Sequence, residues 1–290
     1  MLNGEHNIVP DTTDTLSMLV WSVAMGADEA IAEAPINWLE AAPDVEMPAV
    51  AATSTVTAPS ERQLPKVNTA PRTIQGRPAQ STSGATPEQA LEIANGCSNL
   101  DELKEALENF DGGALKRSAK STVFCDGVVG APLMVVGEAP GADEDKAGKP
   151  FIGETGLLLD LMLNAAGFDR SQNVYISTVI PWRPIGNKTP SADVIAMCAP
   201  FIKRHIELAA PKVILLVGGT ATKAILDNED GITKTRGKWY DITVGNHTCA
   251  AIATYQPSYL MKQSAHKGRT WRDMLAIKHK LKPQMANSET

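Results

Sequence analysis

Short apolar runs alternate with amphipathic stretches from residue 87 to the end of the chain. Two of the runs, residues 133–136 (LMVV) and 212–217 (KVILLV), are apolar enough for strands buried on both faces of a sheet. The other predicted strands are residues 173–180, 239–244 and 248–254, and the predicted helices are residues 88–94, 100–108, 156–166, 191–208, 221–226 and 270–281. Strands that alternate with helices form right-handed βαβ units. The pattern therefore predicts an α/β fold, a three-layer αβα sandwich with a central, mainly parallel four-stranded sheet.

The first third of the chain has a different pattern. Residues 12–34 carry an apolar stripe of Leu and Val, which predicts an N-terminal helical segment within residues 1–40. Such a stripe packs either against the chain's own domain or against a protein partner. Residues 41–86 are rich in Ala, Pro, Ser and Thr and show no sustained period. We therefore predict a disordered linker there, followed by a folded domain of residues 87–290.

The net charge of −6 is unevenly distributed along the chain. Residues 1–95 hold 4 Lys/Arg and 12 Asp/Glu, which leaves 23 Lys/Arg and 21 Asp/Glu for residues 96–290. The folded part is therefore slightly basic. The acidic total does not count against a nucleic-acid partner.

The four cysteines, Cys97, Cys125, Cys198 and Cys249, are scattered and form no CxxC pair. This spacing suggests neither a zinc knuckle nor a disulfide framework, and it favours a reducing, cytoplasmic setting. No apolar run approaches the length of a membrane span, and the N-terminus lacks the basic and apolar regions of a signal sequence. We expect no association with a membrane.

Three polar loops follow three of the predicted strands, at residues 137–153, 181–187 and 255–260. Loops at the carboxyl edge of a parallel sheet converge, and ligands bind at this edge in open α/β folds. The first loop places two glycines, a proline and Glu138 directly after a buried strand and contains one aromatic residue, Phe151. This layout is typical of an active site. The alternative is an ordinary strand–loop–helix connection.

Five motifs in these loops and near them resemble the signatures of the type 4 uracil-DNA glycosylases. They are GEAPG at 137–141, GKPFIG at 148–153, RPIGN at 183–187, RGKWY at 236–240 and PSYL at 257–260. Their order and spacing follow those of the family. The resemblance extends over roughly residues 98–281, which is the whole of the predicted folded part.

The resemblance implies a base excision repair enzyme that hydrolyses the N-glycosidic bond of uracil, or of another deaminated base, in DNA. The base must first be flipped out of the duplex. Phe151 would then stack on the base, Glu138 would orient the water or stabilise developing charge, and Gln256 would face the base oxygen. Glu138 and Gln256 are thus the catalytic candidates. The base-binding candidates are Gly137, Ala139, Gly141, Phe151, Thr178 and Asn187.

The predicted DNA-binding residues lie on the last of the three loops and in the basic stretch that follows it. The loop would press into the minor groove with Leu260 or Met261 as a wedge, and basic side chains would bind phosphates. The candidates are Pro257, Ser258, Tyr259, Leu260, Lys262 and Arg269. On charge alone, the basic stretch is more typical of a solvent-exposed helix start. We expect a monomer.

The family binds a four-iron cluster through four cysteines, and here the sequence departs from it. The expected CxxC pair reads FDGG at 110–113, and the third ligand position holds Trp182. Only Cys198 remains at a ligand position, and one thiolate cannot hold a cluster that needs about four. We therefore predict that no 4Fe–4S cluster or other cofactor is bound. Phe110 and Trp182 would fill its space, and Cys198 would be a buried apolar residue.

Two pocket positions also differ from the family. The family's histidine before Pro-Ser is Gln256, and its pocket asparagine corresponds to Thr178. Loss of one well-aimed donor costs on the order of 3 kcal/mol of transition-state stabilisation. A threonine hydroxyl also discriminates between bases less than an amide does. Two hypotheses follow: a glycosylase with slow or altered activity, and a catalytically impaired protein that binds DNA or acts as a scaffold.

Overall fold

The structure is a computed structural model and describes residues 84–285. The predicted helical segment of residues 1–40 lies outside them, as does the predicted linker of residues 41–86 except for its last three residues. The helices are α1 (Pro87–Gly96), α2 (Leu100–Asn109), α3 (Gly113–Ser118), α4 (Ala142–Ala147), α5 (Gly153–Ala165), α6 (Ala192–Ala209), α7 (Gly219–Leu226), α8 (Ile232–Thr235), α9 (Pro257–Lys262) and α10 (Lys267–Met285). The strands are β1 (Asp126–Gly127), β2 (Leu133–Gly137), β3 (Val174–Thr178), β4 (Val213–Val217), β5 (Trp239–Val244) and β6 (His247–Thr254).

Six strands in the described part of the chain form one sheet in the order β1-β3-β2-β4-β6-β5. The four inner strands are parallel, and Val135 of β2 is level with Ile176 of β3 and Leu215 of β4. The edge strands β1 and β5 are antiparallel to their neighbours. Every residue of β2, β3 and β4 is buried, as strands covered on both faces require. The prediction of a mainly parallel α/β sheet is confirmed, with antiparallel edges added to its four parallel strands.

Side chains of β2 alternate between two apolar cores, one on each face of the sheet. Met134 and Val136 pack into one core with residues from α1, α2, α6 and α7. Leu133 and Val135 pack into the other core with residues from α5 and α10. Because successive strand residues point to opposite faces, one short apolar run contributes to both cores. Helices therefore cover both faces, and the predicted three-layer αβα sandwich is confirmed.

The cysteines contribute to these cores as small apolar residues. All four are free, and Cys97, Cys198 and Cys249 are buried. Burial raises the pKa of the Cys198 thiol to about 12 and that of Cys249 to about 11. Such thiols stay protonated and unreactive at neutral pH.

Phe110 and Trp182 pack together in the same core as Cys198. Their rings are stacked, with centroids 6.3 Å apart and planes inclined by 4°. The indole nitrogen of Trp182 donates to Thr122 Oγ1 at 3.0 Å, so its polar atom has a partner. Within residues 84–285, no helix combines the length and the apolar character needed to cross a membrane.

Candidate active site

A cleft of about 570 Å³ opens at the carboxyl ends of the parallel strands. The three loops predicted to converge there form its walls, and its volume suits a ligand the size of a nucleoside. The predicted residues that line it are Glu138, Ala139, Gly141, Phe151, Thr178, Asn187, Gln256, Pro257, Ser258 and Lys262. Lining residues that the sequence analysis missed include Glu144, Thr155, Lys188 and Thr189.

Glu138 projects from the turn after β2 and is held by a residue from a neighbouring strand end. Thr220 Oγ1, in the first turn of α7, donates to Glu138 Oε2 at 2.6 Å. This bond fixes one carboxylate oxygen and leaves the other available to a water or a sugar. The sequence analysis missed Thr220. Its position just after β4 could have indicated the contact, because β4 lies beside β2 and the residues that follow the two strands are neighbours.

Glu144 joins the two halves of the first loop. It lies in α4, a helix that was not predicted within the loop of residues 137–153. Its Oε2 accepts from the amide of Gly141 and its Oε1 from the amide of Ile152, both at 3.0 Å. The carboxylate is buried, so these two amides replace its lost hydration. The turn that carries Glu138 is therefore tied directly to the turn that carries Phe151.

Phe151 is half-buried at the cleft wall and has a left-handed backbone, with a φ of 51°. A bulky residue in this conformation costs on the order of 1 kcal/mol or more, and such outliers persist only where neighbours enforce them. Its ring lies against Gly137. A Cβ on Gly137 would approach the ring atom Cζ to 2.6 Å, so only glycine leaves room for the ring. Gly137 thus serves the site by allowing Phe151 to occupy it.

Thr178 lies in the cleft wall with its methyl group beside Gly137. Its Oγ1 donates to the carbonyl of Ile180 at 2.8 Å, so the hydroxyl proton is already used. Its Cγ2 lies 3.5 Å from the position a Cβ would take on Gly137. A ligand in the cleft therefore finds only the acceptor lone pairs of the Thr178 hydroxyl and no free donor.

Gln256 and Asn187 face the cleft from the other two loops. Gln256 is half-buried directly before α9, and its side chain lies next to Gly218 at the end of β4. Asn187 is exposed, and its Oδ1 accepts from Arg183 Nε at 2.8 Å. This bond uses the amide oxygen of Asn187 and leaves its N–H₂ group as the donor that a ligand can use. The structure thus brings together amide side chains from two loops that lie about 70 residues apart in sequence.

The predicted DNA-binding residues divide into exposed and buried ones. Lys262 and Arg269 are exposed, and Tyr259 is 37% exposed. Leu260 has no exposed surface and packs in the core beside α5 and α10. Because α9 is a helix, its inward face takes Leu260 and its outward face takes Met261, which is 47% exposed. The expectation that either residue could act as the wedge is thereby corrected, since only Met261 reaches the surface.

A carboxylate, an aromatic ring and two amides thus line a cleft at the carboxyl edge of the parallel sheet. This arrangement is typical of an α/β enzyme, because ligands bind at this edge in open α/β folds. The family model described as the uracil DNA glycosylase superfamily matches residues 125–275. These residues include the sheet, both turns of the first loop and Gln256.

Named relatives specify the family. The chain is 31% identical to the type-4 uracil-DNA glycosylase of Pyrobaculum aerophilum over 180 residues, which cover 61% of this chain and 91% of the relative. It is 36% identical to that of Sulfurisphaera tokodaii (55% and 74% covered) and 33% identical to that of Thermotoga maritima (59% and 87% covered). The chain therefore belongs to the type-4 uracil-DNA glycosylases, as its motifs predicted.

Membership of this family overturns the prediction that no cofactor is bound, because the type-4 enzymes are the iron–sulfur cluster-containing family. Within residues 84–285, however, no three His, Cys, Asp or Glu side chains lie close enough together to hold a metal ion. The described residues do not themselves form a cluster site. No step of the reaction proposed below passes through a cluster.

Proposed function

We propose that this chain hydrolyses the N-glycosidic bond of uracil, or of another deaminated base, that has been flipped out of DNA. One observation carries the proposal: Glu138 and Phe151 of the first loop and Gln256 of the third loop line one cleft at the carboxyl edge of the sheet. The family supports DNA as the substrate, and the activity belongs to base excision repair.

The roles follow from the charges that develop as the bond breaks. Cleavage of the C1′–N1 bond leaves an oxocarbenium-like sugar and a uracil anion. Glu138, with one oxygen held by Thr220, stabilises the sugar cation and orients a water. The water oxygen bonds to C1′, and its proton goes to the base, so the products are uracil and an abasic sugar. The Gln256 amide donates to the base oxygen where the negative charge accumulates.

The flipped base would lie between an apolar wall and polar groups. Phe151 supplies a flat ring for stacking, worth roughly 1–3 kcal/mol per base. The free amide hydrogens of Asn187 and the lone pairs of Thr178 address the polar edge of the base. Since Thr178 offers no free donor, selection among bases rests mainly on Asn187 and Gln256.

Lys188 and Lys262 line the cleft and would bind the phosphates that flank the flipped nucleotide. Met261 is the exposed apolar residue of α9 and would enter the gap left by the base. Tyr259 and Arg269 extend this surface. A protein partner for residues 12–34, a monomeric state and a cytoplasmic setting stay predictions from the sequence.

The other hypothesis, a catalytically impaired DNA-binding or scaffold protein, is not favoured, because the relatives are named as glycosylases. A single-turnover assay on uracil-containing single-stranded and double-stranded DNA tests the choice. The wild type is expected to produce abasic sites. Glu138→Gln should reduce the rate by about 10²-fold or more. The control is Glu105→Gln, on the exposed surface of α2 away from the cleft.

Equal and negligible cleavage by the wild type and Glu138→Gln would refute the proposed glycosylase activity. Binding of uracil-containing or abasic DNA without turnover would then support the scaffold. Loss of activity in Glu105→Gln would mean that the rate responds to surface charge in general.

A further inference from the structure

Arg170, in the connection between α5 and β3, has every N–H group of its guanidinium engaged. Its Nε and one Nη2 hydrogen donate to Asp160 Oδ1 at 3.0 and 2.9 Å, and one Nη1 hydrogen donates to Asp126 Oδ2 at 2.9 Å. The other two donate to the backbone carbonyls of Pro150 at 3.0 Å and Phe151 at 2.9 Å. An arginine has five such donors, so none is left over.

These bonds join three separate parts of the molecule. Asp126 belongs to the edge strand β1, Asp160 lies in α5, and the two carbonyls belong to the turn at the cleft wall. Asp126 is also paired with Lys149, whose Nζ lies 3.1 Å from Asp126 Oδ1. The side chain of Arg170 is only 17% exposed, so solvent screens the arrangement weakly.

The carbonyl that Arg170 binds belongs to the residue with the unfavourable backbone. Phe151 keeps a φ of 51° although it has a bulky side chain. Its carbonyl also lies so close to Gly156 that a Cβ there would approach the oxygen to 1.9 Å. The guanidinium of Arg170 binds the carbonyls of this strained turn, and Glu144 binds the amide of Ile152, so the turn has little freedom to rotate.

We propose that Arg170 is a positioning residue for base binding: it holds the Phe151 turn in the conformation that presents the ring to a flipped base. Arg170 itself does not line the cleft and acts only through Phe151. This inference rests on the proposed function, since it assigns the ring to the base.

The ionisation of Asp126 agrees with this arrangement. Burial would raise the pKa of Asp126, but hydrogen bonds from Arg170 and Lys149 outweigh it and hold the pKa below its usual value. Asp126 therefore stays charged near neutral pH. Lysine in place of Arg170 would keep the positive charge but offers three donors without the planar fork.

The test compares Arg170→Gln with Arg204→Gln. Arg204 is a matched control because it is 20% exposed, donates to the carbonyl of Cys97 and pairs with Glu207, and does not line the cleft. Arg170→Gln should lower the single-turnover rate on uracil DNA by about tenfold or more, because small misplacements of binding groups are costly. Arg204→Gln should leave the rate within about twofold of wild type at a similar loss of thermal stability.

A double-mutant cycle separates positioning from general stability. In a Phe151→Ala background, Arg170→Gln should change the rate by less than about twofold, because the ring through which it acts is gone. Hydrogen–deuterium exchange gives a readout that needs no activity. Peptides covering residues 148–156 should exchange faster in Arg170→Gln and unchanged in Arg204→Gln.

The inference would be overturned if Arg170→Gln lowered the rate by the same factor with and without Phe151→Ala. It would also be overturned if residues 148–156 exchanged at the wild-type rate in Arg170→Gln. A wild type that does not cleave uracil DNA would refute the proposed function instead. In that case hydrogen–deuterium exchange over residues 148–156 would still show whether Arg170 holds the Phe151 turn. If Arg170→Gln does not fold, Arg170→Lys replaces it in the same measurements. Faster exchange over residues 148–156 in Arg170→Lys would support the inference, and exchange at the wild-type rate would refute it.

Discussion

Gly137→Ala tests how the cleft wall is built, because it adds one methyl group at a single point of contact. A Cβ at this position would lie 2.6 Å from Cζ and 2.7 Å from Cε2 of Phe151. Carbon atoms pack comfortably at about 3.5 Å or more, so the ring must withdraw by roughly 1 Å. Gly137 cannot move instead, because it is buried at the end of β2 and pairs with Thr178 of β3.

The expected loss is larger for activity than for stability. The ring faces an open cleft and can swing into it, so the free energy of unfolding should fall by about 1 kcal/mol, the low end for overpacking. Displacement of a binding group by about 1 Å costs roughly 10²-fold in rate, equivalent to about 2.7 kcal/mol of barrier. The variant should therefore be folded but slow.

The assay is the single-turnover rate on uracil-containing DNA, together with thermal denaturation. Gly219→Ala is the matched control, because a Cβ on Gly219 would meet no atom within 4 Å. It should keep the wild-type rate. In a Phe151→Ala background, Gly137→Ala should add little, since the clashing ring is absent. A Gly137→Ala protein that keeps more than about a third of the wild-type rate would refute this account of the wall.

Further predictions concern charge and proton binding. Thr220→Val removes the hydrogen bond to Glu138 and should lower kcat by about tenfold with little change in KM. Gln256→His places a stronger donor at the base oxygen and should raise the single-turnover rate by about tenfold or more. Lys262→Ala should reduce the salt dependence of DNA binding by about one unit of slope, measured by fluorescence anisotropy. Burial lowers the pKa of His205 to about 3. The free energy of unfolding of the wild type should therefore fall by about 1 kcal/mol per pH unit from pH 6.5 downward, measured by chemical denaturation. His205→Gln should flatten this dependence.

The sign of the last prediction follows from proton binding. The folded pKa of His205 lies below the ordinary value of 6.5, so the unfolded chain binds the extra proton as the pH falls. The folded state keeps the ring neutral between Phe124 and the hydroxyl of Tyr175, which lies 2.8 Å from Nε2. Glutamine retains a polar partner for Tyr175 without a titrating group. A wild type whose stability is constant from pH 6.5 to 5 would contradict this assignment.

A Thr220→Val enzyme with wild-type kcat would show that Glu138 needs no support from α7. A slower Gln256→His enzyme would show that the cleft has adapted to an amide. An unchanged salt slope in Lys262→Ala would place the phosphate contacts elsewhere.

The layered fold could be predicted because each central strand is a continuous apolar run. Residues 133–136 and 212–217 can satisfy a two-sided core only as inner strands, and their helical neighbours follow. Boundaries were less certain. Helix α5 begins at Gly153, three residues before the predicted start, because the turn that precedes it is set by tertiary contacts to Phe151 and Ile152. The predicted strand 173–180 ends at Thr178, where the backbone begins to pair with the turn after β2.

The sequence by itself determined the family, the sheet and the three loops, because motifs and apolar periodicity are local properties of the chain. Only the tertiary structure showed that Thr220 holds Glu138, that Arg170 holds the Phe151 turn and that Leu260 is buried. Thr220 and Glu138 are 82 positions apart in sequence, and they meet because β4 lies beside β2. The order of the strands and the face that each helix turns inward decide such contacts. Neither can be read from any single stretch of residues.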